Sequence, residues 1–140
     1  MKHMILITMF IILILSGCTK PRLYPAFMDY SKPGVDLLGV KKAMLECGAV
    51  SVRPTQHSYE AVGLYEIDER SNHHFLVVLC MEREGFEYRH GTVEQACLRG
   101  SRMHFSACQP NPPIPERSIE TRLNSHHCKV LSVTPAHCLP

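Results

Sequence analysis

The stretch that sets the fold reads DLLGVKKAMLECG, residues 36–48. Asp36 is a favoured residue type for capping a helix N-terminus, and Gly48 is a favoured left-handed stop at a helix C-terminus. Between them, four apolar residues recur at helical spacing, namely Leu37, Val40, Met44 and Cys47. They lie within about 80° of one another on a helical wheel. The sequence therefore predicts an amphipathic helix over residues 36–47 that buries one face.

A second helix is predicted over residues 73–84, with Ser71 or Asn72 as its cap. The apolar run 75–79 alone would also suit a buried strand, and periodicity does not distinguish the two for so short a run. The end of the run favours a helix, because Gly85 is typical of a helix stop.

The two predicted helices are expected to pack against each other. Gly85 would place Phe86 where it contacts Met81 in a Schellman arrangement. We expect the run 75–81 to serve the core rather than a partner, since a small domain needs most of its large side chains inside. A Cys47–Cys80 disulfide would then join the two helices.

Six cysteines follow position 18, and an even number in an exported chain indicates three disulfides. Cysteine count alone leaves 15 pairings open. Besides Cys47–Cys80, we expect the local pairs Cys97–Cys108 and Cys128–Cys138. Each bridge would contribute about 2–4 kcal/mol, which compensates for a modest core.

The N-terminal segment indicates export. Lys2 and His3 precede an apolar run of about a dozen residues, which is short for a bilayer span of roughly 20. An uncleaved membrane anchor is therefore the less favoured alternative. The run ends in Leu15-Ser16-Gly17-Cys18, which resembles the lipobox of bacterial lipoproteins.

The lipobox resemblance implies cleavage before Cys18 and lipidation of that cysteine. Residues 1–17 would be a signal peptide, 18–33 a tether and 34–140 one small disulfide-rich domain. Acylated Cys18 would hold the protein on a lipid bilayer in the bacterial cell envelope. Thr19 stands where Asp would retain a Gram-negative lipoprotein in the inner membrane, so the resemblance implies the outer membrane.

Two segments of the mature chain carry a further resemblance. Lys32-Pro33-Gly34 through Cys47-Gly48, and Cys80-Met81 through Gly85-Phe86, are similar to segments of small Gram-negative outer-membrane lipoproteins of unknown role. The Pro-Gly turn before a short helix also resembles the SmpA/OmlA type of assembly lipoprotein. That family lacks these cysteines and has a clearer three-stranded sheet.

The remaining segments are less regular. Residues 49–68 suggest a loop with one strand around 62–67, and residues 89–107 are polar with scattered apolar positions. Residues 109–115 suggest a polyproline-like connector, followed by a short helix over 116–124. The expected fold is a small, disulfide-stabilised, mainly α single domain with an irregular C-terminal region, and an α+β arrangement stays open.

Charge and motifs favour a non-catalytic role. Of 15 Lys and Arg, the loss of Lys2 leaves 14 against 13 Asp and Glu, so no basic footprint predicts nucleic-acid binding. No nucleophile elbow, phosphate loop or Cys-x-x-Cys pair occurs. Glu82, Glu84 and Glu87 are interleaved with arginines, which is typical of a solvated face. We therefore expect no enzyme and no cofactor.

Histidines adjoin two of the cysteines, in His126-His127-Cys128 and in His137-Cys138. Imidazole and thiolate suit zinc or copper, but a disulfide sulfur is not a thiolate donor. We therefore assign no metal, and His126, His127 and His137 are the residues to examine.

The expected function is that of a membrane-anchored envelope lipoprotein that binds or scaffolds an envelope protein. One alternative is a lipid-anchored inhibitor or exclusion protein that acts through the loops flanking residues 110–115. The other is a periplasmic metal-binding protein that uses the histidine pairs.

Overall fold

A computed structural model describes residues 26–99 and 101–140. Within them lie six α-helices: α1 Leu37–Glu46, α2 Gln56–Glu60, α3 Ile67–Arg83, α4 Val93–Cys97, α5 Ile119–Asn124 and α6 His126–Val130. Two short strands, β1 Tyr30–Ser31 and β2 Glu87–Tyr88, form an antiparallel ladder in which Tyr30 pairs with Tyr88. Four 3₁₀ turns complete the regular structure of the described ranges: Ala26–Asp29, Arg102–His104, Ser106–Cys108 and Ala136–Cys138. The predicted fold class, a small and mainly α single domain with disulfides, is confirmed.

Helix α1 has the predicted ends. The Asp36 carboxylate accepts a hydrogen bond from the Gly39 N–H at 2.8 Å and caps the first turn. Gly48 has φ +88° and donates its N–H to the Leu45 carbonyl, while the Ala49 N–H reaches the Met44 carbonyl. These two bonds form the Schellman motif, so helix α1 ends because glycine accepts the left-handed conformation.

Helix α3 begins earlier than predicted. Its first residue is Ile67, and neither Ser71 nor Asn72 caps it. The Glu69 carboxylate instead accepts the Glu66 N–H at 3.1 Å and satisfies the backbone at the true start. The predicted end is confirmed, because the Phe86 N–H donates to the Met81 carbonyl at 3.0 Å.

The core lies between α1 and α3. Val40, Met44 and Leu45 of α1 are buried against Val78 and Met81 of α3. The run 75–81 is thus helical and contributes to the core, as expected. No helix in the described ranges is both long and apolar enough to cross a lipid bilayer.

The first described residues belong to the domain. Phe27 and Tyr30 are buried in the core, and the Lys41 ammonium lies 4.4 Å from the centre of the Phe27 ring. Aromatic side chains of this size gain more from burial than from exposure on a tether. The predicted boundary between tether and domain at residue 34 is therefore wrong for residues 26–33. The remaining tether residues, 18–25, and the predicted signal peptide, 1–17, lie outside the described residues.

Two predicted loops contain short helices. Helix α2 lies in the segment 49–68, and Thr55 and Ser58 form a capping box at its start. The strand expected around residues 62–67 is not present: residues 61–63 form a turn and Ile67 begins helix α3. Helix α4 lies in the polar segment 89–107 behind a similar box made by Thr92 and Gln95. Apolar periodicity does not predict either helix, because it is weak in both segments. The sequence signal for each helix lies in the residues of its capping box.

The C-terminal region folds back on α1. Helix α5 begins at Ile119 behind the Ser118 cap, three residues later than predicted. Helix α5 and the turn Ala136–Cys138 both pack against α1. The irregular segment is therefore part of the domain and brings the last histidines onto the core.

Candidate functional site

The cysteines form the three predicted pairs. Their Cα–Cα distances are 5.7 Å for Cys47–Cys80, 5.6 Å for Cys97–Cys108 and 5.4 Å for Cys128–Cys138. These values lie within the usual range for disulfides. Cys18, the predicted lipidation site, lies outside the described residues.

The C-terminal disulfide brings two histidines together. His127 and His137 each stand directly before a cysteine of the Cys128–Cys138 pair. Ser125 starts helix α6 by accepting the Cys128 N–H at 3.2 Å, which positions His127 in the first turn. The disulfide then holds the 3₁₀ turn that carries His137 against this helix.

The two imidazole rings meet through their Nε2 atoms. These nitrogens lie 2.9 Å apart, the ring centres 5.2 Å apart, and the ring planes are inclined by 21°. The nitrogens therefore lie between the rings, close to the line that joins the ring centres. One ring donates an N–H to the other, which requires that at least one of the two imidazoles is neutral.

Ser51 holds the far side of the His127 ring. Its Oγ lies 3.2 Å from the His127 Nδ1 and accepts the N–H of Arg53 at 3.1 Å. A hydroxyl can donate to Nδ1 or accept from it, so Ser51 is compatible with either tautomer of His127.

The surroundings favour the neutral form of both rings. Burial lowers the pKa of His127, and the neighbouring His126 lowers it further. Burial also lowers the pKa of His137, with additional contributions from His127, Lys41 and Arg122. Neutral imidazoles are the form that ligates metal ions.

The site differs in membership from the predicted set. Among the described residues, the side chains of His127, His137 and Cys138 converge within 4.8 Å of one another. Cys138 is oxidised in the disulfide and offers no thiolate. His126 is exposed and lines a cavity together with His57 and His127, but it does not converge with the other two side chains. Of the three histidines in the predicted set, His127 and His137 form a pair and His126 does not join them.

A second concave site was not anticipated. It lies between α3 and the segment that follows β2, and Phe75 and Val78 line it together with Arg99 and Arg102. At its wall the Tyr88 hydroxyl and the His74 Nε2 lie 3.1 Å apart. Burial lowers the pKa of His74, and burial with the charge of Asp29 raises the pKa of Tyr88 to about 12.

That second site has no signal in the sequence. Its residues come from segments up to 28 positions apart, between His74 and Arg102, and share no motif. Only the β1–β2 ladder and the packing of α4 on α3 bring them together.

The three glutamates considered at the end of the second helix lie in different surroundings. Burial raises the pKa of Glu82. Glu84 lies 3.5 Å from Arg117, and Glu87 is exposed on β2. The three therefore do not share an environment.

Comparison of the chain with protein-family models, with curated proteins and with solved structures gives no match.

Proposed function

We propose that the chain is a lipoprotein of the bacterial cell envelope, anchored through acylated Cys18, with a structural or binding role rather than a catalytic one. The observation that carries this proposal is the cysteine pairing. All six cysteines beyond position 18 are in disulfides, so Cys18 is left over from a chain of seven. Disulfides accord with an oxidising compartment, and the lipobox-like sequence offers a use for the seventh thiol.

The anchor is tested by labelling cells with a radioactive fatty acid. We expect the wild-type chain to incorporate the label and to remain in the membrane fraction, and Cys18→Ser to lose both properties. Ser16→Ala is the matched control, because it changes the same segment and leaves the acylated thiol in place. Equal labelling of wild type and Cys18→Ser would exclude lipidation at this residue.

The proposed outer-membrane location is tested at Thr19. In the lipoprotein class that the leader resembles, Asp after the acylated cysteine retains the protein in the inner membrane. Thr19→Asp is therefore expected to shift the protein from outer-membrane to inner-membrane fractions, and Thr19→Asn to leave it in place. A wild-type protein that fractionates with the inner membrane would contradict the proposal.

The binding role is supported by exposed apolar side chains beside the proline-rich connector. Leu98 is 74% exposed and Met103 is 59% exposed. Both line a shallow cleft with Pro110 and Pro112. Large apolar groups grouped around a cleft are typical of surfaces that contact another protein.

Crosslinking in intact cells tests the binding role. We expect wild type to capture a defined envelope protein, and Leu98→Ser with Met103→Ser to lose it. Val130→Ser and Val133→Ser, at other exposed apolar positions, serve as the matched control. Recovery of lipid and bulk porin alone from wild type would contradict a specific partner.

The same cleft favours the second candidate function, a lipid-anchored inhibitor or exclusion protein. Such a protein would insert the loops around residues 110–115 into its target. Cells that carry the wild-type chain would then resist a lytic enzyme, a phage or a mating partner, and the Leu98→Ser, Met103→Ser variant would not. Equal sensitivity of the two strains to all three challenges would exclude this candidate.

A further inference from the structure

The spacing of the two Nε2 atoms matches that of two imidazoles bound to one metal ion. Two nitrogens that each lie about 2.0–2.1 Å from one metal ion, with a right angle between the two metal–nitrogen bonds, are about 2.9 Å apart. The Nε2 atoms of His127 and His137 are separated by 2.9 Å. We propose that His127 and His137 together bind one Cu(II) ion through these atoms.

The ligand set favours Cu(II) over other ions. Zinc sites in proteins use three or four protein ligands, and Cu(I) prefers thiolate or thioether sulfur. The nearest sulfur belongs to Cys138 and is in a disulfide. Two neutral imidazoles whose bonds to the ion meet at a right angle suit the tetragonal geometry of Cu(II). Among the divalent ions of the first transition series, Cu(II) has the highest affinity for nitrogen ligands. Water completes the coordination.

The rings turn to bind the ion, and Ser51 accommodates the change. In the structure the two Nε2 atoms point at each other, and binding rotates both lone pairs toward one point. The His127 proton then resides on Nδ1, where Ser51 Oγ lies 3.2 Å away and accepts it. A hydrogen bond from the second ring nitrogen to an oxygen is the usual way in which a ligating histidine is oriented.

The disulfide preorganises the site. The Cys128–Cys138 bridge holds the residues directly before each cysteine side by side through covalent bonds. Binding therefore does not require the chain to close a loop first, which is the main entropic cost of a site made from distant residues.

The surrounding charges are cationic and limit affinity. Lys41 of α1 and Arg122 of α5 disfavour positive charge on His137, and His126 of α6 disfavours it on His127. Arg122 is itself paired with Glu46, which offsets part of its charge.

The test is titration of the full oxidised chain with Cu(II), followed by electron paramagnetic resonance and calorimetry. All samples carry His3→Gln, so that in chains that retain residues 1–17 this histidine does not compete for copper. We expect one ion per chain, with hyperfine coupling to two imidazole nitrogens. His127→Gln and His137→Gln are each expected to weaken binding by about 10- to 100-fold.

His104→Gln is the matched control, because His104 is another partly exposed imidazole, paired with Asp68. His104→Gln should leave copper affinity unchanged. Mass spectrometry of the non-reduced variants shows whether the three disulfides have formed.

Two results would overturn the proposal. The first is coupling to fewer than two imidazole nitrogens in the His3→Gln protein, a measurement that does not depend on the folding of any site variant. The second is equal affinity in the His127→Gln and His104→Gln proteins. The site does not depend on acylation of Cys18, so loss of the anchor leaves this proposal intact.

Discussion

At the residue scale, the hydroxyl groups of two tyrosines in the core differ in their hydrogen bonding. The Tyr30 hydroxyl is buried and has no hydrogen-bond partner among the described residues. The Tyr88 hydroxyl, which belongs to the paired strand, contacts the His74 Nε2 at 3.1 Å. A buried hydroxyl without a partner carries the full cost of leaving water.

We predict that Tyr30→Phe raises the free energy of unfolding by about 1 kcal/mol, because it removes an unsatisfied hydroxyl and keeps the ring. Tyr88→Phe, the matched control, should lower it by about 1 kcal/mol, since it removes the contact with His74. Urea unfolding with intact disulfides measures both changes. Destabilisation by Tyr30→Phe would mean that its hydroxyl has a partner.

Arg122 is the largest fully buried charged side chain in the described ranges, at 1% exposure. Its Nε donates to Glu46 at 3.0 Å, and its Nη1 donates to the carbonyls of His137 and Leu139. The second arginine on Glu46, Arg117, is one-third exposed. Arg122 thus links α1, α5 and the C-terminal turn.

We predict that Arg122→Ala lowers the free energy of unfolding by about 3 kcal/mol, because it leaves the buried Glu46 and two carbonyls with fewer partners. Arg117→Ala should cost no more than about 1 kcal/mol, since its partly exposed charge is screened by water. Equal effects in chemical denaturation would show that burial does not distinguish the two arginines.

At the element scale, each helix of the core ends at a glycine with positive φ. Gly48 ends α1 and Gly85 ends α3, with φ values of +88° and +82°. A Cβ added at position 48 would meet no atom within 4 Å. The requirement for glycine at position 48 is therefore set by the backbone and not by packing.

We predict that Gly48→Ala lowers the free energy of unfolding by about 1–2 kcal/mol, the cost of left-handed backbone for a residue with a Cβ. Gly48→Asn should cost less, because asparagine adopts this conformation more readily. Thermal unfolding of both variants measures the two changes in the free energy of unfolding. If alanine and asparagine are equally destabilising, a factor other than backbone conformation governs this position.

At the scale of the whole molecule, the disulfides close loops of different lengths. The Cys47–Cys80 bridge is fully buried and closes a loop of 33 residues, whereas Cys128–Cys138 closes one of 10. Longer loops lose more entropy when they are closed in the unfolded chain. The three bridges therefore contribute unequally.

We predict that replacing Cys47 and Cys80 together by alanine lowers the free energy of unfolding by about 4 kcal/mol. The same replacement of Cys128 and Cys138 should cost about 3 kcal/mol in the absence of metal. Calorimetry of the two double variants gives the comparison. A larger loss at the C-terminal pair would show that local docking there outweighs loop entropy.

Much of the fold was predictable from local signals. The end residues of α1, the glycine that ends α3 and the three cysteine pairs all agree with the sequence-based predictions. The start of α3 and helices α2 and α4 were not predicted, because a capping glutamate and short capping boxes outweigh weak apolar periodicity. Of the candidate site, the residue types were predictable, but not which histidines meet.

The sequence by itself determined both ends of α1, the glycine that ends α3, the number of disulfides and the residues able to ligate a metal, because these depend on residue type and close spacing. Only the tertiary structure decided that His127 and His137 meet while His126 stays at the surface. It also decided that Arg122 belongs to the core. Such contacts join residues distant in the chain, and their free energy depends on packing that no local pattern encodes.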